Sequence, residues 1–416
     1  MTLFGLLWSA AIAFCFCSKS IKNMTLLTLL AMIFQCNNFI EFGGLAVGPQ
    51  LVTSILFIVR VMIFNFGSFH PRKEMRTIRY AFFVFLIVCL ISIIVNFSTI
   101  RNQNLSYFLR VLQIYIFAAC AIAMSSVSRF FREREVYRYI EIITIIQLAI
   151  GVLQYIISLG IIPRLFIINE LFYNDHGKVT YYYSSFKRVL STYQEPSFYA
   201  CFLVGAFYFF LASNVKSRRR NLILAISFIE IILTFSSTAY GALAIIGILY
   251  ACLNITSKRG VFLVAAGSIT AAVMFTLFRP ILNSVIFDKS TSGSAAARRM
   301  WDYLSILDFK SSPIIGIGYK MSRASSLSIT VLASEGIVGF AAIVCVVLTI
   351  LLPLLSKRSR LAIGSVNIAI RYACLAAFCC LFIAVPDIDI SPFWLWIYIL
   401  QLSVYREKRS VSNGEY

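Results

Sequence analysis

Charged side chains are scarce in this 416-residue chain. They make up 13% of it, against 60% for hydrophobic residues, whereas a soluble domain averages roughly 25% charged residues. A chain of this length with so few charges cannot cover a surface that faces water. The scarcity excludes a soluble enzyme, a disordered chain and a fibrous repeat, and it predicts a polytopic membrane protein.

Histidine and acidic residues are also few. The two histidines are too few for a multi-histidine metal site, and we expect no metal. The eleven cysteines fall inside apolar runs, where we expect small packing side chains rather than disulfides. The 17 acidic residues leave a net charge of +20. In a membrane protein such an excess usually sets orientation, so we expect no nucleic-acid partner.

Long apolar runs are abundant instead. Cutting these runs at charges, Pro and Gly gives thirteen candidate helices. A helix needs about 20 residues to cross a membrane. The predicted fold is an all-α bundle of about 12–14 transmembrane spans within the lipid bilayer. The candidates cover residues 2–17, 24–40, 50–69, 80–97, 107–127, 139–160, 195–213, 221–235, 239–254, 261–279, 326–355, 361–385 and 392–405.

Basic residues alternate between the connections of these candidate spans. Every second connection is basic, and with the C-terminal tail these connections hold 22 of the 37 Lys and Arg residues. The other short connections hold only Arg101. Since cytoplasmic loops carry the excess of Lys and Arg, the pattern predicts an N-terminus outside and a C-terminus in the cytoplasm.

Two connections on the predicted outer side are long. Loops above about 15 residues are usually functional or disordered, and the first of these is rich in Tyr, which suits interfacial anchoring or stacking on sugars. The predicted organisation is N-terminal helices 1–160, first long periplasmic loop 161–194, central helices 195–279, second long loop 280–325, C-terminal helices 326–405 and cytoplasmic tail 406–416.

Arg60 and Arg371 lie about midway along apolar runs. A charge in hydrocarbon costs at least about 2.5–3.5 kcal/mol, so such residues face the bundle interior or reach for the interface. Two interpretations stay open: the arginines pair with Glu230 or Glu141, or they hold an anionic substrate.

One segment, Lys187–Ala200, contains the sequence S-T-Y-Q-E-P-S. Pro196 fits the first turn of a helix, where its missing N–H is harmless. Glu195 would then sit at the positive end of the helix dipole. It is either a helix cap or a base at the outer membrane surface.

A second segment joins Ala297–Tyr303 to Ser312–Tyr319. Arg298 and Arg299 can bind a diphosphate through bidentate hydrogen bonds, or form a solvated basic pair. The Gly-x-Gly pair that follows predicts a backbone turn, but it lacks the strand and the third glycine of a dinucleotide-binding loop.

Two further segments lie near span ends. Leu332–Gly339 contains E-G-I-V-G in the outer part of a long span, where small residues favour close helix packing. Thr234–Gly241 predicts a tight polar hairpin.

Asp387 and Asp389 have the D-x-D form of metal-dependent sugar-nucleotide enzymes, but we interpret them as a polar surface turn.

Together and in this order, the four segments resemble the bacterial O-antigen polymerase and O-antigen ligase superfamily, over roughly residues 180–350. The resemblance implies a GT-C-like membrane glycosyltransferase of the bacterial cytoplasmic (inner) membrane. It implies polyprenyl-diphosphate-linked oligosaccharides as substrates and no cofactor, and it leaves room for a chain-length regulator protein as a partner. The ligases carry a His-Asn pair where this chain has Ser325 and Ser326, which favours the polymerase branch. A ligase-type transferase and a flippase of lipid-linked oligosaccharide remain the alternatives.

Transfer from a diphosphate requires groups that hold its charge and a group that orients the acceptor hydroxyl. The expected catalytic residues are Glu195, Arg188 and Arg299. The expected substrate-binding residues are Arg298, Arg279, Arg323, Tyr193, Ser197 and Tyr319.

Overall fold

The structure is a computed structural model of the chain. It describes residues 2–18, 20–42, 45–65, 75–162, 171, 188–213, 215–254 and 293–403. The expected substrate-binding residue Arg279, the candidate span 261–279 and most of the first long loop lie outside the described residues.

Within the described residues the chain is almost entirely helical. The helices, numbered in chain order, are α1 (Leu3–Cys17), α2 (Ile21–Ala31), α3 (Pro49–Asn65), α4 (Arg76–Val95), α5 (Phe97–Ile100), α6 (Leu105–Val127), α7 (Glu133–Ser158), α8 (Pro196–Ala212), α9 (Arg218–Leu233), α10 (Ser237–Asn254), α11 (Gly293–Ser311), α12 (Leu327–Leu355), α13 (Lys357–Ile363), α14 (Ser365–Ala384) and α15 (Ser391–Leu402). One short hairpin pairs strand β1 (Ile40–Phe42) with strand β2 (Leu45–Val47).

Six helices among the described residues are long and apolar enough to cross a membrane: α4, α6, α7, α10, α12 and α14. The chain is therefore a multi-pass, all-α membrane protein, as its composition predicts. The other candidate spans within the described residues each contain a shorter helix. The count of 12–14 spans, the GT-C-like arrangement and the orientation remain predictions.

The second candidate span, residues 24–40, is wrong as a continuous helix. Helix α2 ends at Ala31, and the chain continues as turns into the β1–β2 hairpin. Hydrogen bonds with other parts of the chain explain why α2 ends here. Gln50 donates to the carbonyl of Phe34 at 2.8 Å, and the amide of Cys36 donates to the carbonyl of Thr192 at 3.0 Å. Partners outside the helix thus satisfy the backbone of this segment, so the helix need not continue.

The core forms around α8 and α14. Most residues of both helices are buried, and the thiol of Cys201 on α8 lies 3.7 Å from the carbonyl of Ala377 on α14. Further along α8, Gly205 packs on Trp396, which also contacts Cys374, a position earlier on α14, so the two helices are antiparallel. The start of α8 and the end of α14 therefore lie at the same end of the bundle.

The opposite end of the bundle is basic, and we call it the basic end. Lys22 pairs with Glu135 at 2.6 Å, which joins the start of α2 to the start of α7. The amide of Val366 donates to Glu133 at 3.0 Å, which adds the start of α14. The basic connections that precede α2 and α7 thus meet at one end, together with the start of α14. We call the other end, where α8 begins and α14 ends, the loop end.

Candidate functional site

All four sequence segments lie at the loop end, where they form two contacting pairs. The described part of the first segment, residues 188–200, contacts the hairpin between α9 and α10, and the Gly-x-Gly segment contacts the E-G-I-V-G stretch of α12. Both pairs adjoin the end of α14. A Cβ on Gly241 would lie 3.0 Å from Ile383, and Lys320 forms ion pairs with Asp387 and Asp389 just beyond α14.

In the first pair, Arg188 holds the hairpin that follows α9. Its Nε donates to the carbonyl of Thr234 at 2.9 Å and its Nη2 to the carbonyl of Phe235 at 3.0 Å. The last carbonyls of a helix have no partner within the helix, so the guanidinium caps α9. Phe235 has a φ of 43°, a value that non-glycine residues rarely adopt. The expected catalytic residue Arg188 therefore has a structural role at this hairpin.

The residues after Arg188 form a buried, non-helical segment against α7. The Gln154 carbonyl oxygen accepts the amides of Leu190 at 3.0 Å and Ser191 at 2.9 Å. Gln147 donates to the hydroxyl of Thr192 at 2.9 Å. Neutral side chains thus satisfy a backbone that would otherwise be buried without partners.

Tyr193 continues this segment into the core rather than to the surface. Its ring is fully buried, and it stacks on Tyr199 and Phe202 at centroid distances of 5.6 and 6.1 Å. The Tyr199 hydroxyl in turn donates to Glu230 on α9. Stacking in the core thus holds the Tyr193 ring away from the surface, and its role in substrate binding stays a prediction.

Glu195 and Ser197 lie at the first turn of α8. Pro196 opens the helix, as the sequence predicts. Ser197 donates to a Glu195 carboxylate oxygen at 3.1 Å, and Glu195 is only partly buried. The carboxylate therefore lies at the positive end of the helix dipole with access to the surface.

In the second pair, α12 is broken at Gly336. This residue has φ 69° and ψ −168°. These angles lie outside the helical region, so the run of helical backbone hydrogen bonds is interrupted here. The carbonyls of Ala333 and Ser334 instead accept the amides of Ile317 and Gly318, both at 3.0 Å. Amides of the second long loop thus take the place of the helix amides that would otherwise bond to these two carbonyls.

On the C-terminal side of the break, the loop segment accepts hydrogen bonds from α12 instead of donating them. The amide of Ile337 donates to the carbonyl of Pro313 at 2.9 Å. A Cβ on Gly336 would lie 2.2 Å from the Ile314 carbonyl oxygen, and a Cβ on Gly316 would lie 2.2 Å from the backbone of Ser334. The two glycine segments therefore need each other: backbone packs on backbone, with no room for a side chain.

We call the packing of the loop segment 312–318 against the residues around Gly336 the interlock. Residues of α4 and α6, and the residue that ends α4, form hydrogen bonds to it. Ser92 donates to the carbonyl of Ser334 at 2.7 Å, and Asn96 donates to the carbonyl of Gly316 at 3.1 Å. The Tyr107 hydroxyl donates to the carbonyl of Tyr319 at 2.7 Å. Tyr319, an expected substrate-binding residue, is buried together with its hydroxyl, so its ring packs inside the interlock.

Lys320 sits between the two aspartates of the D-x-D sequence. Its Nζ lies 2.6 Å from Asp387 and 2.6 Å from Asp389. Burial alone would lower the pKa of Lys320, but the two carboxylates outweigh it and raise that pKa above its ordinary value. Burial would likewise raise the pKa of Asp387, yet Lys320, with Arg323 and Arg110, holds it below its ordinary value.

The interpretation of Asp387 and Asp389 as a polar surface turn therefore holds for the turn, but the two carboxylates are largely buried against Lys320 rather than at the surface. A lysine from a distant part of the chain draws both carboxylates inward and occupies the position that a cation would take. Sequence reasoning also missed Glu335, which is buried directly before the break. The D-x-D spacing marked the aspartates as unusual, but it carried no signal for a partner more than sixty residues away.

Three expected arginines remain at the surface of the loop end. Arg298 and Arg299 are exposed on α11. The Arg323 side chain is 58% exposed, with its nearest nitrogen 4.0 Å from Asp387 and its guanidinium carbon 5.5 Å from the centre of the Trp301 ring. These three side chains are placed to meet an anion from outside the bundle.

Helix α11 is tied to the start of α12 by its acidic residues. The Asp302 carboxylate accepts the amide of Ser325 at 2.7 Å and its hydroxyl at 2.8 Å, and Asp308 accepts the Ser322 hydroxyl at 2.8 Å. Ser325 thus anchors the loop before α12 to α11.

The intramembrane arginines do not pair with Glu230 or Glu141 as one interpretation expected. Arg371 is buried and donates to Asn367 at 3.0 Å and to the carbonyl of Thr349 at 3.1 Å. Arg60 donates to the carbonyl of Ser18 and lies 4.4 Å from the centre of the Phe64 ring. Neutral acceptors and an aromatic ring accommodate these charges.

The chain matches no known family model, and no curated protein is significantly similar to it.

Proposed function

We propose that the protein is a polysaccharide polymerase. It transfers a glycan from a polyprenyl diphosphate to the acceptor sugar of another lipid-linked repeat unit, at the outer face of the bacterial inner membrane. The polymer is of O-antigen type. The resemblance of the four sequence segments is the origin of this proposal, and their placement in the molecule supports it.

One observation carries the proposal. The four segments, which are far apart in the sequence, contact each other in two pairs at the loop end, opposite the basic end. Exposed basic side chains, those of Arg298, Arg299 and Arg323, lie on the same end. If the basic end faces the cytoplasm, as the positive-inside rule predicts, these arginines face the compartment where polymerisation of lipid-linked units takes place.

The reaction that we propose breaks the bond between the anomeric carbon of the donor glycan and the diphosphate oxygen. A new bond forms between that carbon and an acceptor hydroxyl oxygen, and the hydroxyl proton passes to a base. The leaving group keeps the bonding electron pair as polyprenyl diphosphate. The arginines stabilise its growing charge, and Glu195 accepts the proton or orients the hydroxyl.

Arg188 has a different role in this proposal. Two of its nitrogens donate to carbonyls of the α9–α10 hairpin, so we propose that it positions this hairpin beside the start of α8. Ser197 orients the Glu195 carboxylate through their hydrogen bond. The diphosphate would then be held by Arg299, Arg298 and Arg323.

A transporter of lipid-linked oligosaccharide is the second candidate, and the break in α12 is the observation that favours it. Transporters bind substrates or ions at the free ends of broken helices. Here, however, the loop segment 312–318 bonds to both ends of the break. Those ends are consequently not free to bind an ion, which makes a transferase the better supported function.

Deletion of the gene distinguishes the candidate functions. Loss of a polymerase leaves single repeat units at the cell surface, and loss of a ligase leaves polymer on the lipid carrier. Loss of a flippase traps repeat units in the cytoplasm. We expect single repeat units; either of the other phenotypes would contradict the proposal.

Complementation of the deletion tests the site. We expect Glu195→Gln and Arg299→Ala to leave single repeat units at normal expression. Lys216→Ala, an exposed residue of the basic end, serves as the matched control and should restore the normal length distribution. Normal polymer length in both site variants would overturn the assignment of these residues.

A further inference from the structure

Helix α11 is amphipathic in the reverse sense: its polar face points into the protein and its apolar face points out. Asp302, Ser305 and Asp308 lie on the inner face, where they bond to the loop before α12. Met300 and Leu307 belong to the opposite face. The apolar residues that are exposed on this outer side are Met300, Tyr303, Leu304, Ile306 and Leu307.

Such a face requires an apolar neighbour. Tyr303 is 59% exposed and Met300 54%, and the helix positions three, four and seven residues apart bring Met300, Tyr303, Leu304 and Leu307 onto one stripe. A contiguous exposed apolar stripe of this kind marks a contact with protein or membrane. The charges of α11 keep it out of the group of candidate spans among the described residues.

Exposed apolar side chains are also found where the chain passes from α11 to the candidate span α12. The chain leaves α11 through Ile314, which is 63% exposed, and the amide of Val338 donates to the Ile314 carbonyl at 3.4 Å. Ile337 and Val338 are themselves exposed on α12, a candidate span. Exposed apolar side chains therefore occur on α11, on the segment that follows it and on the candidate span α12 that this segment contacts.

Basic residues border the stripe on one side. Arg299 and Lys310 lie eleven residues apart, about three turns of helix, so they share one edge of α11. Both are exposed. An apolar face bordered by basic side chains is the pattern of a helix that lies in the membrane interface, with the cations close to lipid phosphates.

We propose that α11 lies in the interface of the bilayer at the loop end, with Met300, Leu304 and Leu307 inserted among the lipid acyl chains. Arg299 and Lys310 meet the phospholipid headgroups at its edge. The second long loop is then a membrane-bound element rather than an aqueous loop. The inference does not rest on the proposed transferase activity.

The test is the accessibility of a fluorescent probe in the full-length protein. A fluorescent noncanonical amino acid replaces Leu307, and in a second variant Leu304, in nanodiscs of phosphatidylethanolamine and phosphatidylglycerol. Leu352, exposed on α12, is the lipid-facing control, and Asn102, exposed in a loop at the loop end, is the aqueous control. Quenching is measured with a phospholipid that carries a nitroxide near its headgroup and with aqueous iodide.

We expect the lipid nitroxide to quench the probe at Leu307 and Leu304 at least half as strongly as at Leu352. Iodide quenching should be several-fold weaker there than at Asn102. Iodide quenching equal to that at Asn102 would overturn the proposal in favour of an aqueous loop. Protection from both quenchers would overturn it in favour of a protein partner or a second copy of the chain.

Discussion

The two segment pairs at the loop end both contain buried non-helical backbone, but the hydrogen-bonding groups of that backbone find their partners in different ways. Each holds a stretch of non-helical backbone among apolar helices, where every N–H and C=O needs a partner. In the first, around Leu190–Gln194, neutral side chains such as Gln154 and Gln35 accept backbone amides. The second, around Gly336, is satisfied chiefly by backbone from the loop segment 312–318. The first therefore depends on particular side chains, whereas the second depends on the absence of side chains.

The largest effect should come from adding a side chain to the second pair. In Gly336→Ala, the new Cβ would meet the Ile314 carbonyl at 2.2 Å and the positive φ would be strained. We expect a loss of about 4 kcal/mol or more, in the range of exceptional destabilisation, measured as a lower midpoint of thermal unfolding in nanodiscs.

Gly160→Ala is the matched control for that prediction. Gly160 has a similar φ of 77° but has no atom within 4 Å of a new Cβ. It should lose only the roughly 1–2 kcal/mol that a left-handed conformation costs. Equal effects of the two substitutions would show that the backbone contact between the two segments contributes nothing.

The next largest effect should come from Lys320→Met. The substitution leaves Asp387 and Asp389 buried without their cation, and loss of one partner of a buried ion pair costs about 3 kcal/mol or more. The triple variant with Asp387→Asn and Asp389→Asn should recover much of this loss, because it removes the unpaired charges. A lower unfolding midpoint in the triple variant than in Lys320→Met would contradict this reading of the cluster.

A side-chain substitution in the first pair should have a smaller effect. Gln154→Leu removes the acceptor of two buried amides, those of Leu190 and Ser191, at a cost of about 2 kcal/mol. The exposed Gln103 provides the control, and Gln103→Leu should change the unfolding midpoint very little. If both variants unfold at the same temperature, the buried segment does not depend on Gln154.

The pH dependence of stability should separate the pairs further, since only the second contains the ion cluster. Asp387 has a pKa below its ordinary value, so its stabilising contribution is present above about pH 4 and is lost as the pH falls further. Lys320 has a raised pKa, so its contribution is lost only as the pH rises beyond about 10.4. Asp387→Asn should flatten the acid side of the curve of unfolding midpoint against pH; an unchanged acid side would contradict it.

The sequence predicted one pair better than the other. The start of α8 follows from Pro196, a local signal, and the structure confirms it. The break in α12 was not predicted, because hydropathy runs evenly through the 29-residue helix and a glycine in a span usually indicates close packing. The partners of Asp387 and Asp389 are non-local, and no pattern of neighbouring residues could show that Lys320 would reach them.

The exposed arginines should have the smallest effect on stability and a large effect on activity. Arg298→Ala and Arg299→Ala should change the unfolding free energy by no more than about 0.5 kcal/mol, because both side chains are exposed. A larger loss of stability would indicate that they support the fold, and it would remove the reason to place them at a diphosphate.

The most direct test of the account is a reaction of the purified protein in nanodiscs with a polyprenyl-diphosphate-linked repeat unit. We predict longer lipid-linked glycans, with one polyprenyl diphosphate released for each bond formed, and loss of both products in Arg299→Ala at an unchanged unfolding midpoint. A folded protein that releases no polyprenyl diphosphate from the units of its own source organism would contradict the account.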